Sequence, residues 1–278
     1  MKKILCPTDF SKAATNAVEF AALIAERTGA ALTLLHVVHL PLLGDAKTAL
    51  SAAEVLGEHK RHAGDKLHAL VRHLEEKHRR SALQINYLVK ESLLVDAVEH
   101  LAKTEAFDLV VIGSTGGGNT LEEILIGSHT EGVIEKVRCP VLTVPGKAVP
   151  APFHRIVYAS NYQQEDVPAL RGVLAVAALF HAEVEIVHAS ETTAGQPDSR
   201  AARFEESLRA ALPEHPLAIH QVVHPNEVEG MKAYLKQKNA DLLVIMKKRR
   251  SFFHHLFNQS FSEQLTYQSK LPMLIIHE

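Results

Sequence analysis

Between Gly113 and Thr130 the chain gathers the residue types that bind anions. It reads Gly113-Ser114-Thr115-Gly116-Gly117-Gly118-Asn119 and, further on, Gly127-Ser128-His129-Thr130. The apolar run Leu109 to Ile112 stops at Gly113, the pattern of a strand buried on both faces. A helical pattern opens at Gly127-Ser128. Strand, glycine loop and helix start together present backbone N–H groups to a phosphate. Side chains would hold the phosphate away from that backbone, and glycine also reaches φ > 0 without strain. The Ser128 and Thr130 hydroxyls add donors. Neither Gly-Lys-Ser/Thr nor GxGxxG is present, so the loop is neither a Walker loop nor a dinucleotide fingerprint. A lone glycine loop also serves as a plain turn, so its surroundings must decide.

Strand patterns fall near 2–8, 31–38, 83–89, 107–113 and 140–145, and helix patterns near 11–28, 48–80, 91–104 and 127–138. The first helix opens after Asp9-Phe10-Ser11 and closes at Gly29. Apolar strands alternating with amphipathic helices imply a parallel sheet covered on both faces. In such a sheet the ligand sits at the carboxyl ends of the strands, where the strand order reverses. Asp9, Val37 and Gly113 stand at three such ends.

The chain repeats itself. Lys3-Ile4-Leu5-Cys6-Pro7-Thr8-Asp9 parallels Arg155-Ile156-Val157-Tyr158-Ala159-Ser160-Asn161, and His36 and His188 are also 152 residues apart. Asp108 and Asp241 are 133 apart, and Cys139-Pro140 and Leu271-Pro272 are 132 apart. The fold class expected is α/β: two tandem doubly wound, Rossmann-like domains, each a five-stranded parallel sheet with helices on both faces. Their expected spans are 1–147 and 152–278, joined through a short segment containing Gly146 and Pro152.

Cys6-Pro7-Thr8-Asp9-Phe10-Ser11, Leu35-His36-Val37, the glycine loop and Val137-Arg138-Cys139-Pro140-Val141-Leu142 resemble the motifs of the universal stress protein family. The family's loop runs Gly-x2-Gly-x9-Gly-Ser/Thr. Here ten residues separate Gly116 from Gly127, which reads as a one-residue insertion within 116–118. The resemblance implies ATP bound by Pro7, Thr8, Asp9, Val37, Gly113, Gly116, Gly127, Ser128, His129 and Thr130. Asp9 and the Val37 backbone would hold adenine, and Gly113 and Gly116 would lie near ribose and inner phosphates. Gly127, Ser128 and Thr130 would hold outer phosphates bridged by Mg2+ or Mn2+. It also implies that Val141–Val144 and Leu274–Ile276 pair within the chain as an internal pseudo-dimer. A homodimer of chains is left open.

By the same offsets Asp9 becomes Asn161, Gly113 becomes Met246, Gly116 becomes Arg249 and Gly127-Ser128 becomes Gln259-Ser260. Side chains replace the glycines, so the second half is expected to hold no ATP. Its loop, Lys247-Lys248-Arg249-Arg250-Ser251-Phe252-Phe253-His254-His255-Leu256-Phe257, reads as a solvated basic turn and an amphipathic stretch, or as a surface for an anion or a protein partner.

No nucleophile–base pair or carboxylate pair is positioned by spacing, so no catalytic residue is assigned. The reading is an ATP-binding stress-response or signalling protein, at most a weak ATPase. The alternatives are a slow nucleotide hydrolase or transferase using His129 and Asp9, and a scaffold acting through the second loop. His129 either sits by the terminal phosphate or is an exposed first-turn histidine. His36 and His188 read as core-edge histidines bonded to backbone. His59 and His62 share a helical face, but no further ligand completes a metal site. Net charge is −2, which gives no general pull toward nucleic acid or anionic membrane. Two cysteines and no CxxC suit a reducing compartment, and no leader or membrane-spanning run is seen, so a cytoplasmic location is expected.

Overall fold

A computed structural model of the chain describes residues 1–38, 46–79, 81, 83–114, 128–191, 199–247 and 271–278. The described residues up to Pro150 form one compact unit, and those from Ala151 onward form another. Among the described residues no helix is long and apolar enough to cross a membrane.

In the first unit the elements are β1 (Lys3–Pro7), α1 (Lys12–Thr28), β2 (Ala31–Val38), α2 (Ala46–Lys77), β3 (Ile85–Glu91), α3 (Leu94–Thr104), β4 (Leu109–Gly113), α4 (Ser128–Lys136) and β5 (Val141–Val144). Its strands lie in the order β3-β2-β1-β4-β5, all parallel. The chain winds outward from β1 to β3, then crosses back to β4 and β5. The reversal falls between β1 and β4, and there the strand ends open a crevice. Burial of successive residues in β1, β4 and β5, instead of every second one, shows both faces of the sheet covered.

The second unit repeats the plan with β6 (Arg155–Ala159), α5 (Asp166–Phe180), β7 (Glu183–Ser190), α6 (Ser199–Ala211), β8 (Ala218–Val223), α7 (Glu227–Lys238), β9 (Leu242–Lys247) and β10 (Met273–His277). Its order is β10-β9-β6-β7-β8, again parallel. The repeat extends to single bonds. Asp108 Oδ2 accepts the N–H groups of Lys2 and Lys3 at 2.5 and 2.9 Å, and Asp241 Oδ2 accepts those of His154 and Arg155 at 2.7 and 2.8 Å.

α1 has the termini its sequence announces. Ser11 Oγ accepts the Ala14 N–H at 3.2 Å, and Gly29 closes the helix at φ 69°, where a side chain would be strained. α2 runs from Ala46 to Lys77, two residues earlier at its start than the periodicity suggests and three residues shorter at its end.

Candidate functional site

Three strand ends of the first unit meet beside two helix starts. Pro7 pairs with Leu35 and Leu5 with Val110. Continuing those registers sets Thr8 beside His36 and opposite Gly113, with Asp9 leaving the sheet beside Val37. Thr8 N donates to Leu35 O at 2.8 Å, and its Oγ1 accepts the Phe10 N–H at 3.1 Å. The Thr8 carbonyl accepts from His36 Nδ1 at 2.7 Å, so Nδ1 carries a proton. His36 is thus bonded to backbone, as its strand position suggested.

Phe10 stands at φ 64°, in the left-handed region, at a cost of about 1 kcal/mol or more. Two contacts to its ring offset that strain. The His36 ring centroid is 4.8 Å away, and Lys66 Nζ sits 5.3 Å from the Phe10 centroid. The resulting turn points the exposed Asp9 carboxylate outward, with Oδ1 accepting the Ser11 N–H at 2.9 Å.

Gly113 closes the other side. A Cβ there would lie 2.7 Å from Ala13 C and 2.8 Å from Ala14 N, so the strand end and the first turn of α1 meet backbone to backbone. Its φ is not positive. Close packing against α1 therefore by itself requires glycine at 113, and a positive φ does not.

Ser114 N donates to Val144 O at 2.9 Å, and its side chain is 1% exposed with no hydrogen-bond partner for Oγ among the described residues. A buried hydroxyl left without a partner is unfavourable unless a ligand supplies one. It follows directly on the strand end that faces α4, and its chemistry fits a phosphate or ribose oxygen. α4 begins at Ser128, and its first-turn N–H groups lack intrahelical acceptors. Thr130 is buried and donates its hydroxyl to Gly113 O at 3.0 Å.

The crevice thus brings together Pro7, Thr8, Asp9, Val37 and Gly113, with Ser128 and His129 exposed at the start of α4. Gly116 and Gly127 lie outside the described residues, as do the insertion at 116–118 and the second-unit loop from Lys248 onward. Sequence reasoning missed four contributors. Ser114 was inside the recognised stretch, but its burial is a tertiary fact. Ala13, Ala14 and Lys66 carried no local signal. Burial pushes the Cys6 thiol far above its ordinary value and Cys139 up to about 11, so neither is a nucleophile at neutral pH. Among the described residues no group of three or more His, Cys, Asp and Glu side chains is arranged to hold a metal ion.

The second unit keeps the frame and changes the contents. His188 Nδ1 donates to Ser160 O at 2.8 Å, Tyr162 takes φ 59° and lies 4.4 Å from the His188 ring, and Ser160 Oγ accepts the Tyr162 N–H at 2.9 Å. Asn161 stands where the first unit has Asp9. Met246, buried, stands in place of Gly113, and Lys247 in place of Ser114. α5 starts at Asp166, although the 152-residue offset maps Lys12 onto Gln164. Asp166, 3% exposed, accepts from Tyr158 Oη at 3.0 Å, Ser160 Oγ at 2.6 Å and Gln163 N at 3.2 Å. Burial and the adjacent Asp166 charge hold the Tyr158 hydroxyl far above its usual range.

The universal stress protein family model matches residues 1–145 and again residues 152–277. The chain belongs to the universal stress protein family. It is similar to Universal stress protein MJ0577 of Methanocaldococcus jannaschii, 32% identical over 160 residues, which are 52% of this chain and 96% of the relative. Universal stress protein MJ0531 of the same organism is 31% identical over 144 residues, 51% of this chain and 81% of the relative. Each archaeal relative thus aligns with about half of this universal stress protein, as a tandem family member requires. Among solved structures, a universal stress protein from Archaeoglobus fulgidus superposes with TM-score 0.72 at 17% identity, over 99% of this chain and 98% of that one, a likeness of fold.

Proposed function

We propose that this tandem universal stress protein binds ATP in its first domain, residues 1–147, and not in its second, residues 152–278, and acts as a stress-response or signalling protein. The observation that carries the reading is the contrast between two otherwise matching crevices. The first offers an exposed carboxylate at Asp9, a glycine at the end of β4 and a buried Ser114 hydroxyl that has no partner among the described residues. At the corresponding places the second has an amide, a buried methionine and a lysine.

In the first domain Asp9 accepts from the adenine amino group and the Val37 backbone borders the base, while Pro7 and Thr8 shape the floor. Gly113 and Gly116 lie along ribose and inner phosphates. Gly127, Ser128 and His129 face the outer phosphates. Thr130, its proton engaged at Gly113 O, contributes by holding α4 in place. Mg2+ or Mn2+, held with the phosphates near Ser128, would supply charge neutralisation there. Nothing among these residues is assigned a bond-breaking role.

The experiment is to purify the full chain without added nucleotide, denature it and chromatograph what is released, then titrate the stripped protein with ATP. About one ATP per chain, lost in Asp9→Ala, is the expected result. Two per chain would end the first-domain restriction. Failure to bind ATP in the titration would end the nucleotide reading.

A further inference from the structure

Asn16 projects from α1 onto the segment that follows β5. Its Nδ2 lies 2.9 Å from Gly146 O, 2.9 Å from Ala148 O and 3.4 Å from Pro145 O. Two N–H protons are shared among three carbonyls. The segment is turned on itself, with Ala148 N donating to Pro145 O at 2.9 Å and the Ala148 side chain buried. Lys147, between them, is exposed. One amide side chain therefore holds the first part of the stretch connecting the two family-matched regions.

The second unit shows that the fold itself does not need this amide. The 152-residue offset maps Asn16 onto Pro168, which has no side-chain donor, and α5 forms around it all the same. The donor is thus an addition at the one place where the chain must be led from one domain toward the next.

The same helix begins in the crevice. Ser11 caps it and is itself tied to Asp9 Oδ1, and Ala13 and Ala14 lie backbone to backbone with Gly113. From Ser11 to Asn16 is about 7.5 Å of α-helix, a rigid connection. We propose that Asn16 couples the nucleotide crevice to the connecting segment, so that a ligand held at Asp9 and Gly113 tightens the docking of residues 145–148. The coupling rests on the nucleotide reading above. A ligand that orders the Asp9–Ser11 turn restrains the start of α1, and local opening of the docked segment, which must move against that helix, becomes rarer. Linkage makes the effect reciprocal, since whatever undocks the segment weakens the ligand by the same factor.

The test is hydrogen exchange of the Ala148 amide in the full chain, with and without saturating ATP, beside calorimetric titration of ATP. In the unsubstituted protein ATP is expected to slow that exchange by about fivefold, a usual size for coupling between sites. In Asn16→Ala the exchange without ATP is expected to be about tenfold faster, from loss of the amide donors, and to stop responding to ATP. Its ATP affinity falls by the factor by which ATP slowed exchange in the parent. Asn16→Gln, which keeps an amide, recovers part of both effects and guards against a general folding defect in the alanine variant. Bound ATP with no change at Ala148, or an ATP effect that survives Asn16→Ala, overturns the coupling. If calorimetry finds no ATP binding, the nucleotide reading fails and the coupling falls with it, while the faster ligand-free exchange of Asn16→Ala would still report docking alone.

Discussion

The Thr130 hydroxyl lies 3.0 Å from the Gly113 carbonyl oxygen and donates to it, tying the first turn of α4 to the end of β4. Thr130→Val keeps the shape and removes the donor, leaving the Gly113 carbonyl short of a partner. The expected loss is about 1–2 kcal/mol of stability. Urea unfolding of the variant checks it, and Thr130→Ser should lose less. An unchanged midpoint in the valine variant would show that the bond contributes nothing net.

Gly113→Ala and Gly57→Ala should move stability in opposite directions. The added carbon at 113 meets the Ala13 and Ala14 backbone at 2.7 and 2.8 Å, so α1 must shift, at about 1–3 kcal/mol. At 57, inside α2, nothing lies within 4 Å and φ is ordinary, so alanine should stabilise by up to about 1 kcal/mol. Denaturation midpoints compare the two. Gly113→Ala should also weaken ATP binding, because the displaced helix start carries the Ser11 contact to Asp9.

Asp166→Ala strands the buried Tyr158 and Ser160 hydroxyls and the half-buried Gln163 N–H. About 3 kcal/mol or more should be lost, because several buried donors lose one acceptor together. The loss should appear in the unfolding of the second unit and leave ATP binding by the first unchanged. Loss of ATP binding in this variant would contradict the assignment of the ligand to the first domain.

Acid stability should depend in part on Asp108. Burial opposes its charge, but the N–H groups of Lys2 and Lys3, with the positive amino terminus and the Lys2 ammonium, outweigh burial and hold the carboxyl below its ordinary value. A carboxyl depressed on folding stabilises above its unfolded value, about pH 4, and that contribution fades as pH falls through the lower folded value. Asp108→Asn should be less stable at neutral pH and show a shallower decline below about pH 4 than the parent. Unfolding midpoints across that range decide, and parallel declines in the two proteins would count against it.

Strand and helix positions were legible in the sequence because periodicity and caps are local. Observed β2, Ala31–Val38, coincides with its expected span, and α1 lies one residue inside its expected start. The repeat was legible because the same side chains recur at constant spacing. Asp9, Val37 and Gly113 could be set at strand ends from the α/β pattern alone, since in a doubly wound sheet every such end lies on one edge.

What packing decided was different in kind. Gly113 is glycine because α1, roughly a hundred residues earlier in the chain, presses its backbone against that spot. Thr130 looked like a ligand donor until its proton was found on Gly113 O. Asp166, in the first turn of α5, is the centre of a buried network that no local pattern signals. Lys66 over Phe10, and Asn16 on residues 145–148, have no signature in their neighbourhoods. The chain alone therefore determined its elements, their repetition and the edge where a ligand would sit, all consequences of local pattern. Which hydroxyl is engaged, which acid is buried and which amide holds a distant segment depend on contacts across long sequence separations, and only the tertiary structure specifies those.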